Sequence, residues 1–165
     1  MTEGRRLKAG VAGWPIAHSR SPLIHGYWLE RLGVDGVYER FPVPPGGFPD
    51  FAAGIGRDGL VGANVTIPHK EAAFAACDRR TPMAEALGAV NLLWRENGLL
   101  WGDNTDVEGF LANLDESAPG WANHRRSAVV IGAGGGARAV LYGLLSRGFE
   151  RVLLINRTKP RERSP

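Results

Sequence analysis

Residues 128–158, AVVIGAGGGARAVLYGLLSRGFERVLLINRT, decide the fold class. An apolar run meets a glycine-rich turn, a helical pattern spans about 136–147 and stops at Gly148, and a second apolar run ends at Asn156. Strand, tight turn, helix and strand in that order make a βαβ unit of a parallel sheet. Gly132-x-Gly134-x-x-Ala137 matches the dinucleotide fingerprint in its G/A form. Its glycines admit a pyrophosphate close to the backbone, and the helix N-terminus supplies N–H donors and partial positive charge. Gly132, Ala133, Gly134, Gly135, Gly136 and Ala137 are therefore candidate cofactor-binding residues. After the second strand, where an NAD site carries Asp or Glu for the ribose hydroxyl, this chain has Asn156, Arg157 and Thr158, with Arg161 close behind. Guanidinium groups favour a 2′-phosphate, so NADP is the expected cofactor. The plain alternative is that these arginines follow a strand and face water.

Upstream, the same alternation recurs. LKAGVAG (7–13) predicts a strand running into a polar loop, and Ser21 with Pro22 predicts an N-cap and first helical position. The helix would run to Leu32 with apolar Ile24, Tyr27, Trp28 and Leu32 sharing one face, and Gly33 beyond its end. GVYERFPV and LVGANVTI predict further strands with a short helix, FPDFAAGIG, between them. Helices are expected from Pro68 and around MAEAL, a hairpin around Asn97-Gly98, and a helix over TDVEGFLANL capped by Thr105. The expected architecture is α/β: an N-terminal substrate-binding and catalytic domain with a mostly parallel sheet over residues 1–115, a polar linker over 116–126, and over 127–165 the first βαβ unit of a Rossmann domain, left incomplete.

Composition narrows the function classes. A 17.8 kDa chain of 165 residues can bury a substantial core, and 44% hydrophobic with 22% charged residues is ordinary for a globular protein. The net charge of +3 comes from scattered arginines, which argues against nucleic acid and suits a small anionic ligand. One cysteine, Cys77, in an alanine-rich helical pattern excludes an internal disulfide and predicts a buried structural thiol. No signal-peptide or membrane-length apolar segment is present, so the cytoplasm is expected. His18, His25, His69 and His124 form no ligand grouping, and no metal is expected.

One of only three lysines, Lys70, ends the segment NVTIPHK (64–70). With SRSPLIHG (19–26), GAVN (88–91), GDNTDVEG (102–109), GAGGGAR (132–138) and NRT (156–158), it resembles the shikimate dehydrogenase family across nearly the whole chain. The resemblance implies NADP-dependent reduction of 3-dehydroshikimate to shikimate, in the pathway to chorismate and the aromatic amino acids. It implies that Ser19 and Ser21 bind the substrate carboxylate, that Asn64, Thr66, Asn91 and Asp106 hold its ring hydroxyls, and that Lys70 and Asp106 form the catalytic pair. The chemistry agrees with those types. Reducing a ketone needs a proton donor at the carbonyl oxygen, and a lysine in a cleft beside an aspartate can supply it, since burial lowers an ammonium's pKa while the carboxylate orients it. Lys70 either passes the proton itself or polarises the oxygen. Taken singly, a solvated first-turn lysine and a plain cap sequence at 104–106 are the competing readings.

The chain departs from the family in having Gly26 after His25, and in its extent. A full dinucleotide domain takes on the order of 130–150 residues, so the resemblance implies a C-terminally truncated chain whose own activity stays open, with the VVIGAG and VLLIN strands as edges prone to aggregation. Two other functions stay open: a quinate/shikimate dehydrogenase with relaxed cofactor use, and a non-catalytic shikimate-binding fragment or regulator. Oligomeric state is not set by the sequence.

Overall fold

The computed structural model describes residues 6–157, which divide into two compact units between Asn104 and Thr105. The first unit runs β1 (Leu7–Gly13), α1 (Ser21–Arg31), β2 (Gly36–Pro42), a 3-10 turn at Pro45–Gly47, α2 (Phe48–Gly54), β3 (Leu60–Val65), α3 (Lys70–Ala76), β4 (Arg79–Arg80), α4 (Pro82–Leu87), β5 (Leu92–Glu96) and β6 (Leu99–Asp103). Its six strands lie in the order β2-β1-β3-β5-β6-β4. The β1–β2, β1–β3 and β4–β6 pairs are parallel; the expected Asn97-Gly98 hairpin makes β5–β6 antiparallel, and β5 also runs antiparallel to β3. Asn97 and Gly98 both take positive φ, the backbone that tight hairpin turn demands.

Strand periodicity separates the two faces of this sheet. Ala12, Ala63, Val65, Leu93 and Leu100 alternate onto one face and join Phe48, Ala52 and Ile55 around α2, Ala73 from α3 and Ala84 from α4 in a single buried cluster. Phe48, Ile55, Val90 and Leu93 have no exposed surface. On the other face α1 packs against β2 and β1. No residue of α1 is buried, and Ile24, Tyr27, Trp28 and Leu32 remain 47–75% exposed, contrary to the core face that their spacing predicts. Trp28 and Leu32 border an open apolar groove of about 450 Å³ over β1, β2, β3 and β5.

Several boundaries differ from expectation. Ser21 is the first residue of α1 and Arg20 holds the cap position, because Ser21 engages Ser19 instead of the helix backbone. Helix α3 begins at Lys70 rather than Pro68, with His69 at its N-cap position. Thr81, unforeseen, caps α4 by accepting from the Ala84 N–H at 3.2 Å. Thr105 precedes α5 but makes no side-chain cap.

The second unit contains α5 (Asp106–Ser117), β7 (Ser127–Ile131), α6 (Ala137–Ser146) and β8 (Arg151–Ile155), with β7 and β8 parallel. Helix α5 packs on α6, and the missing Cβ of Gly143 permits that approach: one built there would lie 3.1 Å from the Phe110 ring. Residues 116–126, the expected linker, comprise the last two residues of α5 and the turns after it. No helix among the described residues is long and apolar enough to cross a membrane.

Candidate functional site

Parallel strands present their carboxyl ends to the loops that carry ligands. At the end of β1, Gly13 lies so near the residue after β3 that a Cβ would approach Thr66 Cγ2 to 2.6 Å and Ile16 Cδ1 to 2.9 Å, so any side chain there would displace them. The loop that follows brings two predicted residues together. Ser19 Oγ–H donates to Ser21 Oγ at 3.2 Å, and the Ser21 N–H donates back to Ser19 Oγ at 3.3 Å. From β2, Arg40 Nε and Nη2 donate to the Ser19 carbonyl at 2.9 and 2.5 Å. With no acidic side chain in the first turn of α1, paired hydroxyls and helix N-terminus together suit a carboxylate.

Asn64 stands near the end of β3 and Thr66 just beyond it. Thr66 N–H donates to the Ala12 carbonyl at 2.9 Å, and its own carbonyl accepts from the His69 N–H at 2.9 Å, tying β1 to the turn that delivers Lys70. The Lys70 carbonyl accepts from the Val90 N–H at 2.9 Å, which sets α3 beside the segment carrying Asn91. Asn91 is buried; its carbonyl accepts from the Val65 N–H at 2.8 Å and from Asn64 Nδ2 at 3.5 Å. One hydrogen-bonded scaffold thus links Asn64, Thr66, Lys70 and Asn91.

Three supporting residues escaped the sequence analysis. His69, 2% exposed, donates through Nε2–H to the Val43 carbonyl at 2.7 Å and stacks on Phe48 at 4.8 Å, anchoring the residue before Lys70. Arg40 holds the serine loop. Tyr38 donates its hydroxyl to Asn64 Oδ1 at 2.6 Å, and burial pushes its phenol up to about 12. The signal available beforehand was alternation: Tyr38 and Arg40 are polar-tipped residues two apart on one strand face. Cys77 proves to be the buried thiol expected, donating to the Ala73 carbonyl at 3.1 Å, with its pKa pushed up to about 11 by burial.

In the second unit, Asp106 opens α5 as a first-turn acid. Gly132 follows β7 with φ +102°, a conformation that favours glycine, and its N–H donates to the Ile155 carbonyl at 2.7 Å. That bond sets the glycine turn beside Asn156 and Arg157 at the end of β8. Ala137 is the first residue of α6, its N–H donating to the Gly134 carbonyl at 2.9 Å; Gly136 holds the cap position and no acid occupies the first turn. Cβ atoms built at Gly134, Gly135 or Gly136 would meet nothing within 4 Å, so with Ala133 exposed the turn is open on its outer side. Those features fit a dinucleotide phosphate. Thr158 and Arg161 lie outside the described residues. No group of three or more His, Cys, Asp or Glu that could hold a metal occurs among the described residues.

The profile of the shikimate dehydrogenase substrate binding domain matches residues 11–93. Among curated proteins, the chain is 58% identical over 161 residues to a shikimate dehydrogenase (NADP(+)) of Brucella abortus, covering 98% of this chain and 55% of that protein. It is 56% identical over 154 residues to one of Mesorhizobium japonicum, again covering 55% of it. Among solved structures, shikimate 5-dehydrogenase of Thermus thermophilus in complex with NADP(H) and shikimate matches with a TM-score of 0.82 at 40% identity, over 92% of this chain and 56% of that one. A shikimate dehydrogenase in complex with NADP+ matches with a TM-score of 0.85 at 34% identity, over 96% of this chain and 54% of that one. The chain spans about 55% of the length of the curated relatives it matches.

Proposed function

The chain belongs to the shikimate dehydrogenase family through its substrate-binding domain, and from that membership we propose that it binds shikimate and 3-dehydroshikimate and serves their NADP-dependent interconversion. The observation that supports this reading is the hydrogen-bonded scaffold that links Asn64, Thr66, Asn91 and Lys70 at the carboxyl end of β3, with Ser19 and Ser21 paired in the loop after β1.

In this reading Ser19 and Ser21 donate to the substrate carboxylate, whose charge the α1 N-terminus also favours. Asn64, Thr66 and Asn91 orient the ring by its hydroxyls, so the reacting carbon is held in one pose. Lys70 holds the oxygen at that carbon, donating a hydrogen bond to the ketone and stabilising the charge that develops there, with Asp106 as its carboxylate partner. Gly132, Ala133, Gly134, Gly135, Gly136 and Ala137 would hold the pyrophosphate of NADP, and Asn156 and Arg157, with Thr158 and Arg161, its 2′-phosphate end. When bound, NADPH supplies the hydride. Residues 1–115 as substrate domain, 116–126 as linker and 127–165 as the opening of the cofactor domain belong to the same proposal.

The test is calorimetric titration with shikimate, followed by shikimate-dependent NADPH formation at alkaline pH, for this chain beside Lys70→Ala. Binding by the parent that weakens in the variant, with any turnover abolished, supports the reading. No binding at millimolar shikimate overturns it. Parallel titrations with quinate and assays with NAD define the specificity.

A further inference from the structure

Asn64 can serve a ligand only if its amide is held one way round, because its two ends differ: Oδ1 accepts through two lone pairs and Nδ2 donates two hydrogens. Two neighbours choose the orientation. The Asn91 carbonyl can only accept, so the amide end facing it at 3.5 Å must be Nδ2. Oδ1 then faces Tyr38, which must be the donor, at 2.6 Å. The Asn91 contact lies at the limit of a hydrogen bond and the Tyr38 contact is short. Asn91 therefore decides which end is which, and Tyr38 supplies the grip.

Tyr38 is itself braced. Its ring stacks on His25 with centroids 3.9 Å apart and planes 12° from parallel, and His25 Nδ1–H donates to the Ser21 carbonyl at 2.9 Å. Ala9 pairs with Tyr38 on β2 and with Gly62 on β3. Ala9, the residue of β1 level with Tyr38, carries only a methyl group, so the Tyr38 ring can cross β1 and reach β3, a span of roughly 10 Å. Burial keeps the phenol protonated through neutral pH and well above it, so the hydroxyl remains a donor.

We infer that Tyr38 is a positioning residue for Asn64: its hydroxyl fixes the amide so that the remaining Nδ2 hydrogen is the donor offered to a substrate hydroxyl. Through the His25 stack the same side chain couples that end of the site to Ser21, at the carboxylate end. The inference rests on the functional reading above.

The experiment is a double-mutant cycle in shikimate affinity, measured calorimetrically on the parent chain, Tyr38→Phe, Asn64→Ala and the double variant. Phenylalanine keeps the ring and its stack and removes one hydroxyl. Expected is a loss of about three- to ten-fold for Tyr38→Phe in the parent background, the size of one net hydrogen bond, and less than twofold when Asn64 is already alanine. Equal losses in both backgrounds, or no loss in either, overturn the inference while the functional reading stands. A parent that fails to bind shikimate removes the functional reading, and the role of Tyr38 toward substrate with it. The side-chain NH₂ resonances of Asn64 report orientation without ligand: Tyr38→Phe is expected to shift and broaden them while the resonances of Asn104, held at the Ala89 carbonyl at 2.9 Å, stay in place. Unmoved Asn64 resonances overturn the inference as well.

Discussion

The two faces of the six-stranded sheet have opposite character although the same strands build both. Toward α2 and α3, Phe48, Ile55 and Leu93 have no exposed surface, and Phe41, Phe51, Leu60 and Phe74 pack partly buried against them. Toward α1, Trp28 is 52% and Leu32 75% exposed above an open groove. Stability therefore comes mainly from the closed face, while the open face carries the side chains that reach across the sheet, Tyr38 to Asn64 and Arg40 to Ser19. Lys70 belongs to the closed face through its neighbour His69, and the serine loop to the open one.

The contrast can be broken most directly at Phe48. Phe48→Ala should cost about 3–5 kcal/mol of folding stability in urea denaturation, the usual loss for an emptied aromatic core position. A cost below about 1 kcal/mol would remove the distinction between the faces. His69→Ala comes next, at about 1–3 kcal/mol, because it strands the Val43 carbonyl in the interior. Its amide exchange should quicken around 69–73, where α3 starts, more than in β6; uniform protection there would mean that His69 does not anchor Lys70.

Alkaline pH sharpens the comparison, since each face holds one group raised by burial. Cys77, on the closed face, has its thiol raised from 9.0 to about 11, and Tyr38, on the open face, its phenol from 10.0 to about 12. In both the fold favours the neutral form. The contribution of Cys77 is complete below pH 9 and is lost as pH rises through 11; that of Tyr38 is complete below pH 10 and is lost toward 12. The urea midpoint should decline from about pH 9 upward, and Cys77→Ala should delay the onset toward pH 10. An unchanged onset would show that another group governs it. Smallest of all, Leu32→Lys should change stability by no more than about 0.5 kcal/mol and lower the binding of an apolar dye. A loss comparable to that of Phe48→Ala would place Leu32 in a core.

Where local chemistry is self-sufficient, the sequence sufficed. The glycine turn between β7 and α6, the Asn-Gly hairpin and Gly33 beyond α1 are positions where backbone conformation selects the residue, so the residue betrays the conformation. Candidate ligand groups such as Ser19, Asn64 and Lys70 came from the family resemblance, whose short motifs lie at or beyond strand ends. Their supports did not. His69 and Tyr38 act across the sheet, 26 residues from the groups they hold, and nothing in their neighbourhoods in sequence marks those partners.

The sequence by itself determined the α/β class, most of the order of strands and helices and the glycine-rich turn, since each depends on periodicity and spacing along the chain, while family membership came from the resemblance of its short motifs. Tertiary structure alone decided which apolar faces are covered. The spacing of Ile24, Tyr27, Trp28 and Leu32 is that of a core-facing helix, yet burial depends on what lies opposite, and over α1 the described residues leave that space open. It also decided which polar groups meet, because a hydrogen bond between strands is set by register, which puts the small Ala9 level with Tyr38 and between it and β3.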